Sequence, residues 1–204
     1  MTTTAVIDWG VATSALAGES GDLSLVKPVA TGVLLGVVDG LGHGAEAATA
    51  ARAAVAVLDR QADESLVPLV KACHQALIGT RGVVMSLAFL SFAHRSLTWL
   101  GVGNVEGVLL HGDRAERPRR TALVTPGGIV GSELPPLNAH HVRLTPGDTL
   151  IFASDGIRSG FAESIASDAT PQQLADQILA RYAKGTDDAL VLVARYLGDA
   201  GGGA

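Results

Sequence analysis

Between residues 83 and 154 the chain holds six short apolar or alternating runs: Val83 to Phe92, Leu97 to Val102, Val105 to His111, Thr121 to Val124, His140 to Leu144 and Thr149 to Ser154. Turn-forming clusters separate them, among them His94-Arg95-Ser96, Gly103-Asn104, Pro126-Gly127-Gly128 and Thr145-Pro146-Gly147-Asp148. A parallel crossover needs a dozen or more residues, so close spacing with tight turns predicts antiparallel meanders. An earlier run, Gly32 to Val38, has the β-branched apolar character of a strand buried on both faces, and it stops at Asp39.

Helical patterns are few and set apart from the strands. Ala45 to Arg60 carries eight alanines, with Ala51, Ala54, Val55 and Leu58 on one face and Glu46, Thr49 and Arg52 on another. Leu66 to Ile78 is a second helix, with Pro68 in its first turn and Gly79 just past its end. Thr170 as N-cap and Pro171 at the first position open a third, which runs to about Tyr182. A last strand, Leu190 to Leu197, precedes a frayed tail at residues 199–204. Segregated helices covering antiparallel sheets make an α+β class, with one domain over residues 1–198.

Composition narrows the partners. Twenty acidic against fifteen basic residues give a net charge of −5, which points away from nucleic acid and anionic membrane and towards a cation. Cys73 is the only cysteine, so neither an intrachain disulfide nor a thiolate zinc cluster is available. Residues 1–18 contain no Lys or Arg, unlike a secretory signal, and no apolar stretch reaches the roughly 18 residues of a membrane span. The expectation is a cytoplasmic, monomeric protein of bacterial type.

Aspartates recur at strand ends beside glycine: Asp22 in Glu-Ser-Gly-Asp, Asp39 in Val-Val-Asp-Gly-Leu-Gly-His-Gly, Asp155 in Ala-Ser-Asp-Gly, and Asp187-Asp188 in Gly-Thr-Asp-Asp-Ala. Each Asp-Gly alone reads as turn chemistry. Four at the ends of core strands instead suggest carboxylates converging on a cleft, where hard cations such as Mg2+ or Mn2+ take oxygen ligands.

Those four stretches in that order, with the alanine-rich helix after the second, resemble the SpoIIE-type branch of the metal-dependent PPM (protein phosphatase 2C-like) serine/threonine phosphatases. The similarity runs from about Asp8 to Leu197. Within the branch, Gly101-Val-Gly-Asn-Val-Glu106 and Gly128-Ile-Val-Gly-Ser-Glu-Leu-Pro-Pro136 are most similar to stand-alone feedback phosphatases of the bacterial stressosome. The resemblance implies an α-β-β-α sandwich of two antiparallel sheets with two ions, Mn2+ or Mg2+, at one edge of the inter-sheet cleft. Carried over by motif, Asp39 bridges both ions and Gly40 gives its carbonyl to one. Asp155 and Asp187 complete the second, Asp22 contacts the first or its water, and Asp188 is left open. The implied substrate is a phosphorylated STAS-domain regulatory protein.

Two-metal hydrolysis needs no phosphoenzyme, and Cys73, inside a predicted helix, reads as a packing residue. His43, four residues after Asp39, has two readings: general acid for the leaving seryl oxygen, or a packing or capping residue at the helix start. The basic cluster Arg114, Arg117, Arg119 and Arg120 is either a solvated hairpin end or a docking surface for an acidic partner. Two other functions stay open: a pseudophosphatase that binds a phosphoprotein without turnover, and a hydrolase of small phosphate esters.

Overall fold

Strand β3 (Gly32–Gly40) organises the molecule because both of its faces are apolar. In this computed structural model, which describes residues 6–112, 119–163, 165 and 169–198, Leu34 and Val38 face one hydrophobic cluster and Val33, Leu35 and Val37 another. Such two-sided burial requires a layer on each side.

Along the chain β3 is preceded by β1 (Ile7–Ser14) and β2 (Asp22–Val29), and followed by α1 (Ala45–Arg60) and α2 (Leu66–Leu77). Then come β4 (Val83–Ser91), β5 (Ser96–Val102), β6 (Glu106–Leu110), β7 (Arg120–Ala122), β8 (His140–Arg143) and β9 (Thr149–Ala153). A 3-10 turn at Phe161–Glu163, helix α3 (Pro171–Tyr182) and β10 (Ala189–Tyr196) complete the order. One sheet runs β2-β3-β4-β5-β8 and the other β1-β10-β9-β6-β7, with every pairing antiparallel.

The sheets stack on a core that includes Trp99, Leu109, Phe152 and Leu192. Helices α1 and α2 cover the outer face of the first sheet through Ala50, Ala54, Leu58, Leu69 and Cys73. Helix α3 covers the second through Leu174, Ala175 and Ile178. This is the expected α-β-β-α sandwich. Cys73 is fully buried, and burial pushes its thiol up to about 12, as a packing residue requires. The α3 start follows its sequence signature of Thr170 as N-cap and Pro171 in the first turn, and the structure adds Gln173, whose side chain completes a reciprocal capping box with Thr170.

The structure adds two strands that the sequence reading left unassigned, β1 and β2. Both are edge strands, half-exposed on one side. Their alternation is present in Ile7, Trp9 and Val11 and in Leu23 and Leu25, but Pro28 and the exposed Trp9 weaken it, as befits an edge. Arg114 and Arg117 and the expected tail fall outside the described residues. No described helix is long and apolar enough to cross a membrane.

Candidate active site

Asp22 opens β2 and Asp39 is the penultimate residue of β3, and the register places the two directly opposite each other. Asp155 lies two residues beyond β9, and Asp187 two residues before β10. Because β9 and β10 are antiparallel neighbours, those positions meet at one end of their sheet. Stacking then brings the ends of both sheets together. A cleft of about 530 Å³ opens there, lined by Asp39, Asp155 and Asp187 with Leu41, Gly42, Val84, Gly103, Asn104, Thr125, Gly127 and Gly128.

The seam is tied by a serine that the sequence reading did not single out. Ser154 Oγ donates to Asp22 Oδ2 at 2.6 Å and accepts from the Leu190 N–H at 2.9 Å, linking the two sheets through one buried hydroxyl. Asn104 Nδ2 donates to Asp155 Oδ2 at 2.9 Å. Asp188 is buried and outside the cleft lining, accepting the N–H groups of Leu16 (2.8 Å) and Gly21 (2.7 Å), so it clamps the β1–β2 loop next to Asp22. Only the tertiary fold brings these partners together; the one local cue for Ser154 is its place next to Asp155.

Glycines let the helix layer approach this end. A Cβ on Gly40 would stand 2.2 Å from the Ala47 carbonyl oxygen, so α1 rests on the backbone next to Asp39. The N-cap of α1 is Gly44, at φ 79°, with no side-chain cap. His43 precedes it, exposed and outside the cleft lining.

Electrostatically the site is overloaded with negative charge, and no basic side chain belongs to the cleft lining among the described residues. Burial, then repulsion from Asp22, Asp155 and Asp187, pushes Asp39 up to about 9. Burial raises Asp22 to about 6, opposed by the Ser154 hydrogen bond and assisted by Asp188, Asp155 and Asp187. Carboxylates held so close stay ionised only if a cation joins them. Among the described residues no three acidic, histidine or cysteine side chains close around a single point as they stand. The donor set is nevertheless all hard oxygen, which suits Mg2+ or Mn2+ rather than zinc.

Comparison with known proteins follows the same lines. The family model for stage II sporulation protein E (SpoIIE) matches residues 30–197. Phosphoserine phosphatase RsbX of Bacillus subtilis (strain 168) is 30% identical over 89 residues, a match that spans 44% of this chain and 45% of that protein's length. A solved protein of the bacterial stressosome, described as a modular system adapted to control secondary messenger signalling, superposes with TM-score 0.83. It is 31% identical, with 93% of this chain and 99% of that one covered. Two more distant structures share the fold. RsbX in complex with magnesium has TM-score 0.82 and 22% identity, covering 93% and 94% of the two chains. The catalytic domain of the serine/threonine phosphatase PstP with two manganese ions has TM-score 0.72 and 17% identity, covering 94% and 99%. With β3 to β10 covered by the family model, the chain belongs to the SpoIIE family, and its sandwich has the protein phosphatase 2C-like fold.

Proposed function

We propose that this chain is a divalent-metal-dependent phosphatase that hydrolyses phosphoserine or phosphothreonine on a STAS-domain regulatory protein of a stressosome or anti-sigma pathway, acting in the cytoplasm as a monomeric catalytic unit over residues 1–198. The observation that carries this reading is the convergence of Asp22, Asp39, Asp155 and Asp187 from both sheets at one open end of the sandwich. The RsbX and PstP structures, named with magnesium and with manganese, support the choice of cation.

Asp39 is the proposed bridging ligand, with the Gly40 carbonyl beside it. Asp155 and Asp187 would hold a second ion, and Asp22 the first ion or its water. Bound divalent ions neutralise the phosphoryl oxygens and lower the pKa of an attacking water. The chain's own residues set the stage for that chemistry: Ser154 fixes the Asp22 carboxylate and Asn104 aims that of Asp155. Gly127 has open space beside it on the cleft wall, whereas Gly103 packs against Val84 and Gly128 against Pro135. His43 is the proposed proton donor to the seryl oxygen; it is exposed and follows Gly42 of the cleft lining without belonging to that lining itself.

The deciding experiment measures phosphate release with Mn2+ or Mg2+ from a phosphorylated STAS protein and from para-nitrophenyl phosphate. Higher kcat/KM on the phosphoprotein supports the proposal. Preference for the small ester points to a small-molecule hydrolase, and metal-independent binding without turnover to a pseudophosphatase.

A further inference from the structure

The connection from α2 to β4, residues 78–82, has no part in the chemistry above, yet its backbone is closely determined. Gly79 (φ 86°) and Gly82 (φ 77°) take left-handed conformations on either side of Thr80 and Arg81. Thr80 Oγ1 donates to the Leu77 carbonyl at 2.7 Å and accepts the Gly82 N–H at 3.0 Å. The Gly82 carbonyl accepts the Leu41 N–H at 3.2 Å, and Val83 exchanges two backbone hydrogen bonds with Val130, at 3.0 and 2.9 Å. The loop is thus fastened to both walls of the carboxylate cleft, the segment containing Leu41 and Gly42 and the one containing Gly127 and Gly128.

What this framework holds is Arg81. A Cβ on Gly42 would stand 2.7 Å from Arg81 Nη1, so the guanidinium lies against a residue of the cleft lining. Gly42 is itself at φ 86°, a conformation that favours glycine, and having no Cβ it lets the guanidinium rest on its backbone. Arg81 Nε meets Glu46 Oε2 at 2.5 Å, with the two side chains 51% and 71% exposed. An ion pair so open to water is readily exchanged for a better anion. A phosphate monoester is that anion, since its oxygens match the planar fork of guanidinium donors and its charge exceeds that of a carboxylate.

We infer that Arg81 binds the phosphoryl group of the incoming substrate, releasing Glu46 as it does so, and that Glu46 parks the guanidinium at the cleft mouth between turnovers. The inference rests on the phosphatase reading and assigns that reaction a substrate-recognition residue. Cations held by the aspartates would meet the phosphoryl from the acidic side of the cleft, and Arg81 supplies the positive side chain that the cleft lining lacks.

The test uses the full chain with Mg2+ and a peptide carrying a non-hydrolysable phosphonate in place of phosphoserine, with binding read by fluorescence anisotropy. Arg81→Ala is expected to weaken binding about 10- to 100-fold, the size of one charge-assisted hydrogen-bonded contact. It should raise KM for a phosphoprotein more than it lowers kcat. Arg81→Lys should recover part of the affinity, because it restores charge without the fork. Glu46→Gln, which removes the competing carboxylate, should tighten binding. Arg52→Ala, which like its partner Glu19 lies outside the cleft lining, is the control for lost surface charge. Unchanged affinity in Arg81→Ala overturns the inference, as does loss of the Mg2+-induced rise in melting temperature in that variant, which would make Arg81 a support of the metal site or the fold. Weaker binding in Glu46→Gln overturns the exchange step. Absence of metal-dependent turnover in the native chain is a different result, and defeats the phosphatase reading itself.

Discussion

At the residue scale the site is an electrostatic compromise. Asp39 and Asp22 bind protons in the metal-free fold at pH values where an exposed aspartate has lost them. Since the folded state then holds more protons than the unfolded one, these two groups make metal-free stability fall as pH rises from about 4 towards 9. Thermal melts of metal-free protein across that range should show a decline that is smaller in Asp39→Asn. The same substitution should remove most metal-induced stabilisation and nearly all turnover, while leaving the metal-free protein no less stable at pH 8. Ordinary turnover in Asp39→Asn would refute the metal-bridging role. Ser154→Ala should cost roughly 1–3 kcal/mol in denaturant melts, because the Asp22 oxygen and the Leu190 N–H would both lose a buried partner. His43 is tested through leaving groups. Phosphoserine needs a proton on its departing oxygen and para-nitrophenolate does not, so His43→Ala should lower kcat on the phosphoprotein much more than on the nitrophenyl ester. Equal losses would assign the histidine a local structural role.

At the element scale α1 governs the geometry of the cleft. Its buried face is almost entirely alanine, at Ala47, Ala48, Ala50, Ala51 and Ala54, and this lets its backbone reach Gly40. A small-residue face tolerates no added volume, so Ala51→Phe should destabilise by about 1–3 kcal/mol through overpacking and displace α1 from Gly40. Metal affinity and turnover should fall with it. Arg52→Ala, one position on, removes an exposed pair with Glu19 and should change both little. Matching effects of the two on activity would separate α1 packing from the metal loop. The alanine pattern made this helix readable from its sequence. Strands β1 and β2 were harder because their outer faces meet solvent: Trp9 is exposed, and Pro28 interrupts a run that only pairing with β3 makes a strand.

At the scale of the whole molecule, the site belongs to neither sheet alone. Asp22 and Asp39 come from one, Asp155 and Asp187 from the other, and metal that binds only their assembled form must stabilise the fold as a unit. Saturation of one site at about 100 times its dissociation constant adds roughly 2.7 kcal/mol. In a chain of this size that corresponds to a rise of roughly 5–10 °C in melting temperature on adding Mn2+, measured by scanning calorimetry. Asp199→Asn, beyond β10, should leave the rise intact. No rise in the native chain would remove the metal-linked reading of these carboxylates.

The sequence by itself determined the local units: antiparallel pairing of β4 with β5 and of β6 with β7 from close spacing, α1 and α3 from alanine periodicity and an N-cap followed by proline, and aspartates at the ends of apolar runs; the expected meanders stop there, because β5 and β6, and β8 and both its sequence neighbours, lie in different sheets. Those features are encoded within a few residues of one another, through propensity, turn chemistry and alternation. Tertiary structure alone decided the rest. The Ser154 bridge to Asp22 joins positions 132 residues apart, Asn104 reaches Asp155 across 51, and Asp188 clamps a loop 167 residues earlier. The position of Arg81 against Gly42 depends equally on the helix pair between them. A short polar side chain carries no local mark of a partner that only the stacking of two sheets brings within hydrogen-bond distance, because the chain pattern records which face is apolar and not what the opposite layer presents to it.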